Sequence, residues 1–518
     1  MTTFEERLGD LESRFHEAYW RSQIDSSPEN DRRRAELELE LRRIKGDPEA
    51  LAAVESALDE EMHDPVLKRQ LEVLRLSLTG NQMSDELRAQ IVDLSSSVES
   101  DFNSHRPEID GHALSDNEIE EILKSSNDND VRRRAWEASK EIGAVVSPRV
   151  RELARLRNQV SRNLGYADYF RMALELQELD EDWLFRTLDE LEQLTQDPFA
   201  QWKKELDEKL AARFNTTALM PWHYPDPFFQ NLPADGGVSL DGMLSDVSAP
   251  DMAVATFGAW DIDLSKVMGS SDLYPRDHKS QHAFCLHVDR KSDDVRILAN
   301  VVPGERWVEV MLHESGHAAY DLGLDPHLPY LLRQNAHIFV TESVALLCGR
   351  LARDPTWLVE IAGRDADEVA RLQPQLRRAD AAQTLVFARW VPVVTHFERE
   401  LYSDPEGDLN ARWWDLVERF QMVQTPPGRE TSSDWAAKVH VAAAPVYYQN
   451  YLLGDLLASQ LMRTCLDECG GLVGNADAGR LLKERVFKSG SLMRWDALIE
   501  QATGRPLSVK DLAHQVDL

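Results

Sequence analysis

Cysteine is scarce: Cys285, Cys348, Cys465 and Cys469 are the four in 518 residues. They are too few and too scattered for a disulfide framework and fit a reducing compartment. Cys465 and Cys469 stand one helical turn apart and are read as buried thiols. Long apolar runs are missing too. No stretch approaches the roughly 20 residues that cross a bilayer, so no membrane partner is expected. The opening MTTFEERLGDLESRFHEAYW is charged from Glu5 onward and has no apolar segment, unlike a secretory leader. Basic charge is in deficit, with 58 Lys and Arg against 90 Asp and Glu and a net charge of -32. Such a field repels nucleic-acid backbones and anionic membranes. A soluble cytoplasmic protein without a nucleic-acid partner is therefore expected. No fixed-period repeat is present, which disfavours a solenoid.

Helical periodicity is abundant. Phe4, Leu8, Leu11 and Phe15 recur at helix spacing, as do Leu67, Leu71, Leu74 and Leu78, and again Leu184, Leu188 and Leu191. Glu, Lys, Arg and Gln fill the intervening positions, so the pattern predicts a mostly-α chain. The helical texture breaks at MPWHYPDPFFQNLPADGGVSLDG (220–242), where Pro221, Pro225, Pro227, Pro233 and the pair Gly236–Gly237 forbid a continuous helix. The break suggests an N-terminal helical lobe over 1–219, a boundary or covering loop over 220–250 and a second lobe over 251–518. Trp222, Phe228 and Phe229 are read as loop anchors, and His223 as a loop histidine. The β-rich runs HAFCLHV (282–288) and VRILANV (295–301), joined by a polar turn, predict one hairpin over 282–301.

After the hairpin comes ERWVEVMLHESGHAAYD. In a helix, His313 and His317 project from one face and can offer imidazole nitrogens to one ion. Glu314, about 100° around the helix, stands near that ion without having to ligate it. This is where a general base acting on water belongs, and His-Glu-x-x-His is a zinc-hydrolase signature. Five residues are a short pattern, so context matters. Trp307, Val308, Val310, Met311 and Leu312 make the helix a buried one, where unpaired polar groups are costly. Gly316 gives up roughly 1 kcal/mol of helix propensity and opens room for close approach. A catalytic zinc takes a third protein ligand. Glu342, the only acid in the apolar run HIFVTESVALLCGRL, is the candidate. Further on, KVHVAAAPVYYQNYLLGDLL carries Lys438, His440, Tyr447, Tyr448 and Tyr451; Tyr448 and Tyr451 are expected on one helical face. His396 and Glu400, one turn apart, are read as a solvated helix face.

The segments DLYPRDHKSQHAFC (272–285), MLHESGHAAYD (311–321), FVTESVALL (339–347) and KVHVAAAPVYYQNYLLG (438–454) stand in this order. Together they resemble the thimet oligopeptidase and oligoendopeptidase F family of zinc peptidases and the related peptidyl-dipeptidases of the angiotensin-converting-enzyme type. The half of the chain before them resembles these families only in being helical. The resemblance implies one zinc ion per chain, held by His313, His317 and Glu342, with Glu314 as the base. It implies that Tyr448 and His440 serve the oxyanion or the substrate backbone, with Tyr451 beside them, and that His282 and Ala283 pair with an extended substrate. Lys438 matches a lysine that captures a substrate's C-terminal carboxylate. The fold implied is a large two-lobed helical ellipsoid with a deep central cleft and a small hairpin beside the zinc helix, acting on short peptides. A metallocarboxypeptidase and a non-catalytic zinc- or peptide-binding protein are the alternatives, and manganese or cobalt would suit the same donors. Where the relatives carry an acid near the third ligand, this chain has Phe339 and Leu346. Asp321, one turn past His317, is then the candidate to orient a zinc histidine. Oligomeric state is not legible.

Overall fold

Proline follows a capping side chain at three early helix starts. Ser27, Asp47 and Asp64 accept backbone N–H groups from the first turns of Pro28–Lys45, Pro48–Asp59 and Pro65–Thr79. Proline at the first helical position forfeits an N–H that would be orphaned anyway, so cap and proline together fix these starts. The computed structural model describes residues 2–232 and 238–516. Helix makes up 69 % of the chain, so the mostly-α expectation holds. Among the described residues no helix is long and apolar enough to cross a membrane.

The chain forms two compact units. The first comprises Met1–Gln82, Ser239–Pro374 and Leu453–Asp511; the second comprises Met83–Val238, Gln375–Leu452 and Leu512–Leu518. The units interleave along the chain, whereas the proline-rich break suggests a linear division. Of that break, residues 233–237, including Gly236 and Gly237, lie outside the described residues. Its remaining anchors belong to the second unit, Phe229 buried and Trp222 and Phe228 half-buried. Phe229 packs on Trp202 and Tyr224, Phe228 on Trp390, and His223 accepts the Met220 N–H at 2.8 Å.

In the first unit the predicted leucine stripes meet. Leu8, Leu11, Leu37, Leu41, Leu71, Leu74 and Leu78 form one buried cluster, joined by Leu331. The N-terminal helix Thr2–Ile24 also lies along the predicted hairpin, with Trp20 and Tyr19 against Phe284 and Ser13 donating to Asp289. The hairpin strands are Phe284–Asp289 and Asp294–Leu298, antiparallel, with Cys285 opposite Ile297 and an irregularity between His287 and Asp289. The ladder thus starts two residues later than the β-rich run, and exposed His282 and half-buried Ala283 precede it. Backbone bonds from Asp272 N–H to Ile297 and from Ala299 N–H to Asp272 close the far side of Asp294–Leu298. Lys279, fully buried, ties this corner by donating to Asp272 and Tyr274.

Two expectations are corrected. A second short hairpin, Glu108–Ile109 with His112–Ala113, occurs in the second unit. It turns on Asp110 and Gly111, both at positive φ, and the dipeptide Asp-Gly is a strong signal for that turn. His396, expected on a solvated face, is buried between Phe185 and Phe420, because the long helix Ala366–Ser403 packs on that side too.

One ion-pair cluster fastens the N-terminal helix. Glu12 accepts from Lys45 Nζ at 2.8 Å and from the Tyr330 hydroxyl at 2.8 Å, with Arg290 at 3.8 Å. Burial alone would raise its carboxyl. Arg290 and Lys45, with the hydrogen bonds from Lys45 and Tyr330, outweigh it and hold the group at about 2. A carboxyl depressed on folding contributes stability that is fully present above its unfolded value near 4.5 and is lost as pH falls toward 2. Glu12→Gln is therefore expected to destabilise the protein at neutral pH by on the order of 2–3 kcal/mol. It should also flatten the acid limb of stability between pH 4.5 and 2. Urea midpoints across that range check this; equal acid limbs for both proteins would refute it.

Candidate metal centre

The helix bearing the histidine motif, Glu305–Gly323, starts after Gly304, whose φ of 134° is a conformation that glycine alone adopts freely. Asp241 accepts the Glu305 N–H at 2.9 Å and secures the first turn. Val308, Met311, Leu312, Ala318 and Ala319 are buried, as the apolar run requires. Gly316 faces the helix Ile338–Gly349. A Cβ there would stand 2.8 Å from Ala345 Cα and 3.1 Å from the Val344 carbonyl oxygen, so the two backbones touch with no room for a side chain.

That contact brings the third candidate ligand to the first two. His313 Nε2 lies 3.6 Å from Glu342 Oε1, and His317 Nε2 lies 3.6 Å from Glu342 Oε2. Among the described residues, these are the only three His, Cys, Asp or Glu side chains whose donor atoms gather within 4.8 Å of one another. Zinc bonds of about 2.0–2.1 Å in a tetrahedron require donors about 3.4 Å apart, close to what is found. On the other side of Glu342, a Cβ on Gly454 would lie 3.3 Å from Glu342 Cγ.

The electrostatics agree with the geometry. Burial pushes His313 down to about 3, with His317 adding to the effect. Burial likewise pushes His317 down to about 4, against the pull of Asp321. Both imidazoles are thus neutral at physiological pH, the form that ligates metal. Burial, with Asp455 nearby, pushes Glu342 up to about 7. Burial and then the neighbouring Glu342 push Glu314 up to about 8, partly offset by the backbone N–H of Cys285, which its carboxylate accepts. For Glu314, buried, and Glu342, half-buried, to be ionised beside two neutral imidazoles, positive charge must stand close by. A divalent cation supplies it, so the donor set fits zinc in both geometry and charge.

His317 Nδ1 stands 2.8 Å from the Thr341 hydroxyl. With Nε2 given to a metal, Nδ1 would carry the proton and donate a hydrogen bond to the Thr341 hydroxyl, which would fix ring and tautomer. Sequence reasoning looked for an acid and named Asp321; that carboxylate instead lies 3.8 Å from His287 on the hairpin. In the sequence Thr341 stands beside Glu342, with no spacing that singles it out.

Of the remaining candidates, His282 and Ala283 belong to the first unit, and Lys438, His440, Tyr448 and Tyr451 to the second. The ring of His440 lies 5.1 Å from that of Tyr448 and 6.4 Å from that of Tyr451. Tyr448 stands in the turn one residue before the helix Gln449–Cys469, and its ring lies 5.3 Å from that of Tyr451, so the two phenols are neighbours as expected. Its hydroxyl accepts from Trp390 Nε1 at 2.7 Å, which leaves its own proton to donate elsewhere. Burial lowers His440 to about 4, with Lys438 adding to it, so its ring is neutral. Lys438, rather than being solvated, is buried and donates to Gln230 Oε1 at 2.7 Å among the rings of Phe228, Trp390 and Tyr448. Burial lowers its ammonium to about 8, against the pull of Asp226.

Comparison with known proteins adds two matches. The family model described as Peptidase family M3 matches residues 254–518, just over half of the chain and all of its metal-site residues. The model described as angiotensin-converting enzyme matches residues 1–223. The N-terminal half thus carries a family likeness that its helical texture alone did not reveal. A comparison with curated proteins finds no match.

Thr341→Val keeps the shape of the side chain and removes the hydroxyl. Zinc affinity is expected to fall about 10–100-fold with the fold retained, as read by chelator competition. Unchanged affinity would show that Thr341 does not orient His317.

Proposed function

Because the chain belongs to peptidase family M3, a family of zinc metallopeptidases, we propose that it hydrolyses peptide bonds in short, unfolded oligopeptides, with Glu314 as general base. The observation that carries this reading is the placement of Glu314. It adjoins His313 in a buried setting, while the three candidate ligands converge beside it. A zinc ion held by His313, His317 and Glu342 supplies Lewis acidity to a carbonyl oxygen and to water. Glu314 takes a proton from the attacking water and delivers it to the leaving amine. Tyr448, whose hydroxyl proton is not used by Trp390, and neutral His440 donate to the carbonyl oxygen as negative charge develops. Tyr451, whose ring lies 5.3 Å from that of Tyr448, supports them. The backbone at His282 and Ala283, leading into the hairpin, pairs with the main chain of the substrate and reads it with little regard to side chains.

Within this class, Lys438 favours a peptidyl-dipeptidase over an oligoendopeptidase. A buried ammonium flanked by an amide and three rings is suited to a C-terminal carboxylate in a way that a solvated lysine is not.

Glu314→Gln is expected to bind zinc and to melt like the wild type while kcat falls by about 10² to 10⁴. Mass spectrometry of products from peptides with free and amidated C-termini checks both readings. Dipeptides released only from free C-termini support Lys438 as the carboxylate site, and internal cuts in both sets make the enzyme an oligoendopeptidase. Near-normal hydrolysis by Glu314→Gln would overturn the mechanism.

A further inference from the structure

Val446, in the second unit, has φ at 53° and is fully buried. A β-branched residue rarely adopts the left-handed region, and such strain persists only where its surroundings over-determine it. Two residues later stands Tyr448. The surroundings of Val446 are specific. Its N–H donates to Glu398 Oε1 at 2.7 Å, and its carbonyl accepts from Gln177 Nε2 at 3.1 Å and from Gln449 Nε2 at 2.9 Å. Gln177 Oε1 accepts in turn from Asn450 Nδ2 at 2.9 Å, so the clamp reaches the first turn of the helix that carries Tyr451.

Glu398 is an odd choice for packing alone. It is 1 % exposed on the helix Ala366–Ser403, and its other carboxyl oxygen has no hydrogen-bond partner among the described residues. Burial pushes the group up to about 8, partly offset by the Val446 N–H and Arg157. An apolar side chain would fill the volume without desolvating a carboxyl group, so the acceptor has a use. Adjacent tyrosines make that use clear: relaxing Val446 into the β region would redirect the chain through Tyr447 and Tyr448 and change which phenol meets Trp390.

We propose that Glu398 is a positioning residue, whose carboxyl oxygen holds Val446 in its left-handed turn and thereby fixes the Tyr448 hydroxyl for catalysis. The proposal rests on Tyr448 being an oxyanion donor. A donor engaged only in the transition state affects kcat, whereas uniform binding affects KM, so the two constants separate a positioning role from a loss of substrate affinity.

The test uses the zinc-loaded full chain and an internally quenched oligopeptide, with zinc content and thermal melting recorded for each variant. Glu398→Ala is expected to lower kcat at least about tenfold with KM within about twofold. Glu398→Gln, whose amide oxygen accepts the same N–H, should keep kcat within about threefold of wild type. Glycine adopts positive φ without strain, so Glu398→Ala combined with Val446→Gly should return kcat to within about threefold of Val446→Gly alone. A wild-type kcat in Glu398→Ala overturns the proposal, as does a double variant still tenfold below Val446→Gly. If Glu398→Ala does not fold, the double variant against Val446→Gly carries the same decision. Tyr448→Phe separates the layers. A wild-type kcat there removes the oxyanion reading and with it the proposal. An impaired Tyr448→Phe beside a normal Glu398→Ala overturns the role of Glu398 alone.

Discussion

The metal centre depends on one backbone contact, Gly316 against Ala345 and Val344. Ligands on one helix, four residues apart, supply two corners of a tetrahedron and cannot supply the third. A second helix must approach closely enough for a glutamate, with its short reach, to meet both imidazoles. Any side chain at position 316 would push the helices apart, since the atoms it meets are main chain and cannot swing away. The helix propensity lost at Gly316 is therefore the cost of bringing the candidate ligands together, and Gly454 lies against the Glu342 side chain on the other side.

Electrostatics follow from that packing. The elements that exclude water from His313 and His317 keep both imidazoles neutral, and they also make Glu314 and Glu342 reluctant to ionise. A divalent cation held there would reverse this balance for the acids, with the neutral imidazoles free to ligate it. Orientation comes from ordinary polar groups: the Thr341 hydroxyl at His317 and the Cys285 N–H at Glu314. Cys285 itself is half-buried, and desolvation together with Asp321 and Glu314 raises its thiol well above the ordinary range, which makes it a poor metal ligand.

Much of this was legible in the chain because the relevant rules are local. Spacing of four placed His313 and His317 on one face, a lone acid in an apolar run marked Glu342, and alternating β-rich segments marked the hairpin. The leucine stripes of the first helices do pack together. Non-local features were harder to read. Thr341 was hidden because a hydroxyl partner has no spacing signature, and Tyr448 was set on a helix that begins one residue later. His396 looked solvated because a long helix buried on several sides shows no single apolar stripe. The interleaving of the two units was beyond local reading, since it depends on which distant segments pack together. The short hairpin at Asp110–Gly111 was legible and was missed.

The measurement that tests the account most directly is the zinc stoichiometry and X-ray absorption spectrum of the purified chain. One zinc per chain is predicted, with imidazole and carboxylate donors at about 2.0–2.1 Å and no sulfur shell near about 2.3 Å. A sulfur shell would place a cysteine among the ligands, and a chain that binds no zinc would leave the convergence of His313, His317 and Glu342 without its purpose; either result contradicts the account.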